Sequence, residues 1–133
     1  MKEFKFLLKR MPVLNYEKNY QVGICYIGEV EYNGKTTEKG FEGFKISKNV
    51  KTVIDQGDFV SQWNISERKV MKMTRLVNVD ETNWIIDKYD MLDLVIARTE
   101  HDYKSIPKQI EDVLLIEVTD NNKFDDRFLA DNF

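Results

Sequence analysis

The sequence predicts a single α+β domain: a mainly antiparallel, twisted sheet of six or seven strands with one to three short helices on one face or end. Three observations lead there. Most apolar residues recur with a period of two, the spacing of half-buried strands. Connections after residue 46 are too short for repeated βαβ crossovers, which need about a dozen residues each. A chain of 133 residues, 42% apolar and 32% charged, is of the size and composition that builds one core with a busy surface.

Taken in order, Phe4, Phe6 and Leu8 alternate with Lys5, Leu7 and Lys9, which predicts a first strand ending before Pro12. Residues 14–19 read as a loop. From Tyr20 to Tyr32 the even positions are Tyr20, Val22, Ile24, Tyr26, Gly28, Val30 and Tyr32, so one face is apolar. Asn33-Gly34 follows. A type I′ turn needs positive φ at both central residues, which Asn-Gly supplies, so the pattern predicts a central hairpin over 20–46 pairing Tyr26 with Phe41. Gly43 is placed as a bulge that brings Phe41 and Phe44 to one side.

Residues 50–54 form a short strand closed by Gln56-Gly57-Asp58, and Phe59–Trp63 fits either a helical turn or a strand. Residues 69–79 alternate again, with Met71, Met73, Val77 and Val79 on one face and Arg75 interrupting it. A turn at 80–83 starts a helix to about residue 91, from the spacing of Ile85 and Tyr89, and Leu94–Ala97 is a buried strand. Ser105 caps a short helix opening near Pro107. Val113–Val118 is a buried strand ended by Asp120-Asn121-Asn122. Phe124 and Phe128, at i and i+4, make a closing helical turn in an acidic, aromatic tail over 120–133.

Much chemistry is excluded. No phosphate-binding glycine loop, dinucleotide fingerprint, nucleophile elbow or zinc-protease motif is present. One cysteine and one histidine cannot build a structural zinc site, and Cys25 falls mid-strand as a small buried hydrophobe. No signal-peptide or membrane-span pattern occurs, and a lone cysteine suits a reducing compartment, so the expected location is the cytoplasm. No cofactor is expected.

Four residue groups remain. His101, in A-R-T-E-H-D-Y with Tyr103 two residues on, suggests a small enzyme, but Glu100 and Asp102 point to the opposite face of an extended segment. Asp87, Asp90 and Asp93 cannot share one face of a helix, so no metal site is expected. Arg68, Lys69, Lys72 and Arg75, backed by Trp63, form a small basic stretch, but a pI of 5.3 makes nucleic acid an unlikely partner. The acidic half is the fourth. Residues 1–79 hold 14 Lys/Arg against 9 Asp/Glu, whereas 80–133 hold 6 against 14.

In that half Asp120, Asp125, Asp126 and Asp131 interleave with Phe124 and Phe128. Acids steer a basic partner and aromatics supply burial. The sequence therefore predicts a non-catalytic module, with no catalytic residues, that inhibits or sequesters another protein, in the manner of immunity proteins, antitoxins or phage inhibitors. The alternatives are a small-molecule-binding sheet using Tyr20, Tyr26, Tyr32, Phe41 and Trp63, and an enzyme centred on His101. An open sheet edge would also permit a homodimer.

Overall fold

The computed structural model describes residues 3–90, 92–100 and 106–132. Among these the strands are β1 (Phe4–Leu8), β2 (Lys18–Ile27), β3 (Val30–Thr37), β4 (Gly40–Ser47), β5 (Val50–Ile54), β6 (Arg68–Val79), β7 (Thr82–Tyr89), β8 (Leu94–Thr99) and β9 (Leu114–Glu117). The helices are α1 (Gln56–Ile65), α2 (Lys108–Glu111) and α3 (Asp126–Asn132). The strands form a sheet ordered β5-β4-β3-β2-β6-β7-β8-β1-β9. The α+β class and the antiparallel sheet match expectation; nine strands exceed the six or seven predicted.

The chain divides into two compact units, the first made of Met1–Asn19 and Met73–Asn121, the second of Tyr20–Lys72 and Asn122–Phe133. In the first unit β7, β8, β1 and β9 pair antiparallel in that order, with Phe6 opposite Ala97 and Lys5 opposite Arg98. One sheet face is apolar. Phe6, Leu8, Trp84, Ile86, Val95 and Ala97 meet Ile110 of α2 and the adjacent Val113 in a buried cluster, with the Phe6 and Trp84 rings 5.8 Å apart. Arg75, which interrupted the apolar pattern of β6, lies over the Tyr16 ring, and the Tyr16 hydroxyl donates to the Pro12 carbonyl. Its guanidinium is thus spread on an aromatic face.

In the second unit β2, β3, β4 and β5 form successive antiparallel hairpins. The predicted turn is corrected here. Asn33-Gly34 lies inside β3, where Gly34 pairs with Gly23 and Gly43, and the chain reverses at Gly28-Glu29 and Glu38-Lys39 instead. Gly28 has φ 59° at the first of these, a backbone that glycine adopts without a Cβ penalty. Gly34 has a packing role. A Cβ there would meet Phe59 at 2.8 Å, so its absence lets α1 lie directly on the strands. Phe41, Phe59 and Trp63 stack in that layer, with centroids 5.7 and 5.9 Å apart. Asp55 caps α1 by accepting from the Asp58 amide at 2.8 Å.

Two further expectations change. The helix predicted to about residue 91 is β7. Its two faces both carry apolar residues, Ile85 on one and Trp84 and Ile86 on the other, and a strand apolar on both sides mimics helical spacing. The strand near 113–118 is a short sheet edge: Val113 and Val118 are buried, but Leu115 and Ile116 between them are 54% and 59% exposed.

Candidate functional site

The strand face opposite the apolar core of the first unit is mixed: the register sets Lys5, Asp87 and Arg98 among the apolar Leu7, Ile85 and Ile96. Alternation along β1 turns Lys5 away from Phe4, Phe6 and Leu8, and Glu3 immediately before the strand shares its side. The β1–β8 register sets Arg98 directly across from Lys5. On β7, Asp87 falls on this face while Trp84 and Ile86 face the core.

These side chains form one connected network. Asp87, 1% exposed, accepts from Thr74 Oγ1 at 2.7 Å and from Arg98 Nε at 2.7 Å. A buried carboxylate is tolerated as an ion only when paired and hydrogen-bonded in this way. Arg98 Nη1 also reaches Glu3 Oε2 at 3.4 Å, and the other Glu3 oxygen lies 3.8 Å from Lys5 Nζ. The Lys5 backbone is held in turn, its amide donating to Thr119 Oγ1 at 3.0 Å and its carbonyl accepting from the Val118 amide at 2.8 Å. Two cations are therefore fixed side by side on a strand pair, one anchored from beneath. Among the described residues, no three His, Cys, Asp or Glu side chains converge as a metal site.

A separate cleft of about 330 Å³ in the same unit is lined by Glu17, Lys18, Asn83, Trp84, Thr99 and Glu100 among others. It includes none of the Lys5–Arg98 network.

The residues singled out from the sequence are distributed differently. Asp120 lies in the first unit at a turn with φ 63°, whereas Phe124, Asp125, Asp126, Phe128 and Asp131 belong to the second. In α3 the acids bind the chain's own bases: Asp126 pairs with Lys72 at 3.0 Å and Asp131 with Arg68 Nε. Arg127 pairs with Glu29 at 3.5 Å, and the Arg68 and Arg127 guanidinium groups lie 5.6 and 5.3 Å from the Tyr26 ring centre. Leu129 and Ala130 are buried. Arg68 and Lys72 of the basic stretch are thus paired with Asp131 and Asp126 of the tail.

The aromatic set is split between faces of the second unit. Tyr32, Phe41 and Trp63 lie on the α1 side, Tyr20 and Tyr26 on the other. Lys35 Nζ sits 4.3 Å from the Tyr20 ring centre. Burial, then the nearby Glu31 carboxylate, pushes the Tyr26 hydroxyl well above the usual phenol range. Burial likewise raises the Cys25 thiol to about 11, against a smaller opposing effect of Lys69. His101 and Tyr103 lie outside the described residues.

No family model matches the sequence, and no curated protein matches it. Solved structures do. The crystal structure of the inorganic triphosphatase NE1496 superposes with a TM-score of 0.74 at 18% identity, over 96% of this chain and 92% of that one. A second crystal structure, described as the hypothetical protein NE1496, gives 0.72 at 18% identity over 96% and 95%. The chain shares that triphosphatase's fold. This likeness overturns the expectation of a non-catalytic inhibitor of the immunity-protein, antitoxin or phage-inhibitor kind, because the fold neighbour is an enzyme. The aromatic-pocket alternative fails with it, since its five residues do not share a face.

Glu3, Lys5 and Arg98 were not singled out from the sequence, and Asp87 was weighed only with Asp90 and Asp93 as a metal set. Their signal was phase: Lys5, Asp87 and Arg98 are charges set among apolar residues in β1, β7 and β8.

Proposed function

We propose that this chain is an enzyme that binds and hydrolyses a short inorganic polyphosphate, of which inorganic triphosphate is the simplest. The observation that carries the reading is the end-to-end likeness to the inorganic triphosphatase NE1496, with 96% of this chain and 92% of that one aligned. The charged network of the first unit supports it.

Hydrolysis of triphosphate transfers a terminal phosphoryl group to water. A new P–O bond forms to the water oxygen, the bridging P–O bond breaks, and orthophosphate and pyrophosphate leave. The transition state is loose and spreads negative charge over the phosphoryl oxygens, so positioning and cationic stabilisation supply most of the catalysis. Lys5 and Arg98 are the residues assigned to that role. Arg98 offers a planar fork suited to two phosphoryl oxygens, and Lys5 beside it a compact charge. Asp87 acts through Arg98 and fixes its orientation from the buried side.

The test is phosphate release from inorganic triphosphate, pyrophosphate and ATP, each with magnesium or manganese. Turnover of triphosphate, cut about 100-fold or more in Lys5→Ala and Arg98→Ala, is the expected result. No release from any of the three substrates by the folded protein refutes the assignment.

A further inference from the structure

In the second unit β5 pairs with β4 and ends the sheet order, so among the described residues its other side is an unpaired ladder. Such an edge is a template for a further strand, and proteins usually blunt it with a bulge, a proline or a very short strand. β9, at the other end of the order, is blunted in this way: it has four residues, and Leu115 is skipped by its ladder with β1. β5 is not. Its five pairs run in step from Gly43–Ile54 to Ser47–Val50, and the strand holds no proline or glycine. The Lys48-Asn49 turn before it, with φ 51° and 64°, has the backbone of a tight hairpin and keeps that register. Val53 is 84% exposed and Val50 62%, on opposite faces of the strand.

Charge decides what fits there. Residues 43–54 hold Lys45, Lys48 and Lys51 and no Asp or Glu. Lys51 Nζ lies 4.0 Å from the ring centre of Phe44, on β4, so this side chain is turned inward along the hairpin and leaves the ladder open. A second copy of the chain is a poor occupant. Antiparallel pairing about Thr52 sets the two Lys51 side chains as diagonal neighbours on one face, and in-register parallel pairing sets them side by side, with no acid to offset either.

We propose that the β5 edge is a docking site for an extended acidic segment of another protein, which joins the sheet as an added strand. The register states its chemistry. Running antiparallel to β5, the segment places apolar residues opposite Ile54, Val53 and Val50, a threonine opposite Thr52 and a carboxylate opposite Lys51. A second carboxylate follows beside Lys48 at the turn. One strand of this length buries well under the ~1,000 Å² of a stable interface, so the contact is transient. It stands apart from the proposed hydrolysis, since β5 carries none of the residues assigned to that role.

The experiment titrates the isotope-labelled full chain with the acetylated, amidated peptide Val-Val-Thr-Glu-Val-Glu and follows the amide chemical shifts. A peptide with lysine in place of glutamate and a fully N-methylated copy of the acidic peptide run in parallel. The acidic peptide should shift the amides of residues 49–54 saturably, with a Kd on the order of 0.1–1 mM. Lys51→Glu should weaken it about five-fold or more and bind the lysine peptide instead. No shift over 49–54, or an equal response to the N-methylated copy, overturns the added strand. Indifference of the wild type and of Lys51→Glu to the peptide's charge overturns the acidic partner. Shifts at the same amides on raising the protein concentration alone, with a dimer in sedimentation, overturn it in favour of a second copy.

Discussion

Removing the Asp87 carboxylate tests the charged network of the first unit most directly. In Asp87→Ala the Arg98 guanidinium loses a 2.7 Å partner and the Thr74 hydroxyl loses its acceptor. Breaking a fully buried ion pair from one side costs about 3–5 kcal/mol. Arg98 is 23% exposed, so water recovers part of that. The stranded hydroxyl of Thr74, itself 6% exposed, adds about 1–3 kcal/mol. The net expectation is a loss of about 3 kcal/mol, which for a chain of this length lowers Tm by roughly 10 °C. Urea denaturation followed by circular dichroism gives the value. Replacing both charged partners with apolar side chains, Asp87→Leu with Arg98→Met, should recover at least half of it, because the cost lies in the uncompensated charge. A loss under about 0.5 kcal/mol in Asp87→Ala, or a double variant no better than the single, refutes the view that Asp87 is the buried anchor of Arg98.

Three other outcomes follow from the packing. Gly34→Ala places a methyl 2.8 Å from Phe59 and 2.9 Å from Phe41 and should cost about 1–3 kcal/mol by forcing α1 outward; a neutral result in thermal melts would show that the layer yields. Asp126→Ala leaves Lys72, whose side chain is 7% exposed, without this partner, and should loosen α3 enough for limited proteolysis to release it, whereas Asp131→Ala, at a half-exposed pair, should change protection little. Cys25 is buried and its thiol is raised from 9.0 to about 11, so the folded state holds the proton that the unfolded chain gives up. Stability is unaffected below pH 9 and falls as pH rises from 9 through 11; a Cys25→Ala variant should lack that fall, and native Cys25 should react with disulfide reagents only as fast as the protein unfolds.

The sequence made β1 and β2 legible by their alternation and β8 by its unbroken apolar run, while β5 and β6 were legible in outline from their flanking turns. It misled where one residue type serves two purposes. Asn33-Gly34 has the composition of a tight turn, yet Gly34 is there for the approach of Phe59, a requirement visible only once α1 is placed. The β7 segment carries apolar side chains on both faces, so period alone could not separate it from a helix. The charged network was hidden for a related reason. Glu3, Lys5, Asp87 and Arg98 come from three strands spread over 96 positions, and only the register makes them neighbours. The acidic tail looked like a docking surface because its bases, Arg68 and Lys72, lie some 55 to 65 residues earlier in the chain.

The pairing of β1 with β9 sets how the molecule must assemble. Phe6 lies opposite Glu117, so that ladder closes a loop of about 110 residues, at an entropic cost of roughly 4 kcal/mol before any constant term. Closing a ten-residue hairpin such as β2–β3 costs about half as much by the same relation. The hairpins of the second unit can therefore form early and locally, while β1 docks only when the distant β8 and β9 are already in place. Glu3 and Lys5 travel with β1. The two cations meet at the last and most expensive step, so a partly folded or nicked chain retains its hairpins yet lacks the Lys5–Arg98 pair, and the proposed phosphate release would report on completion of the whole fold.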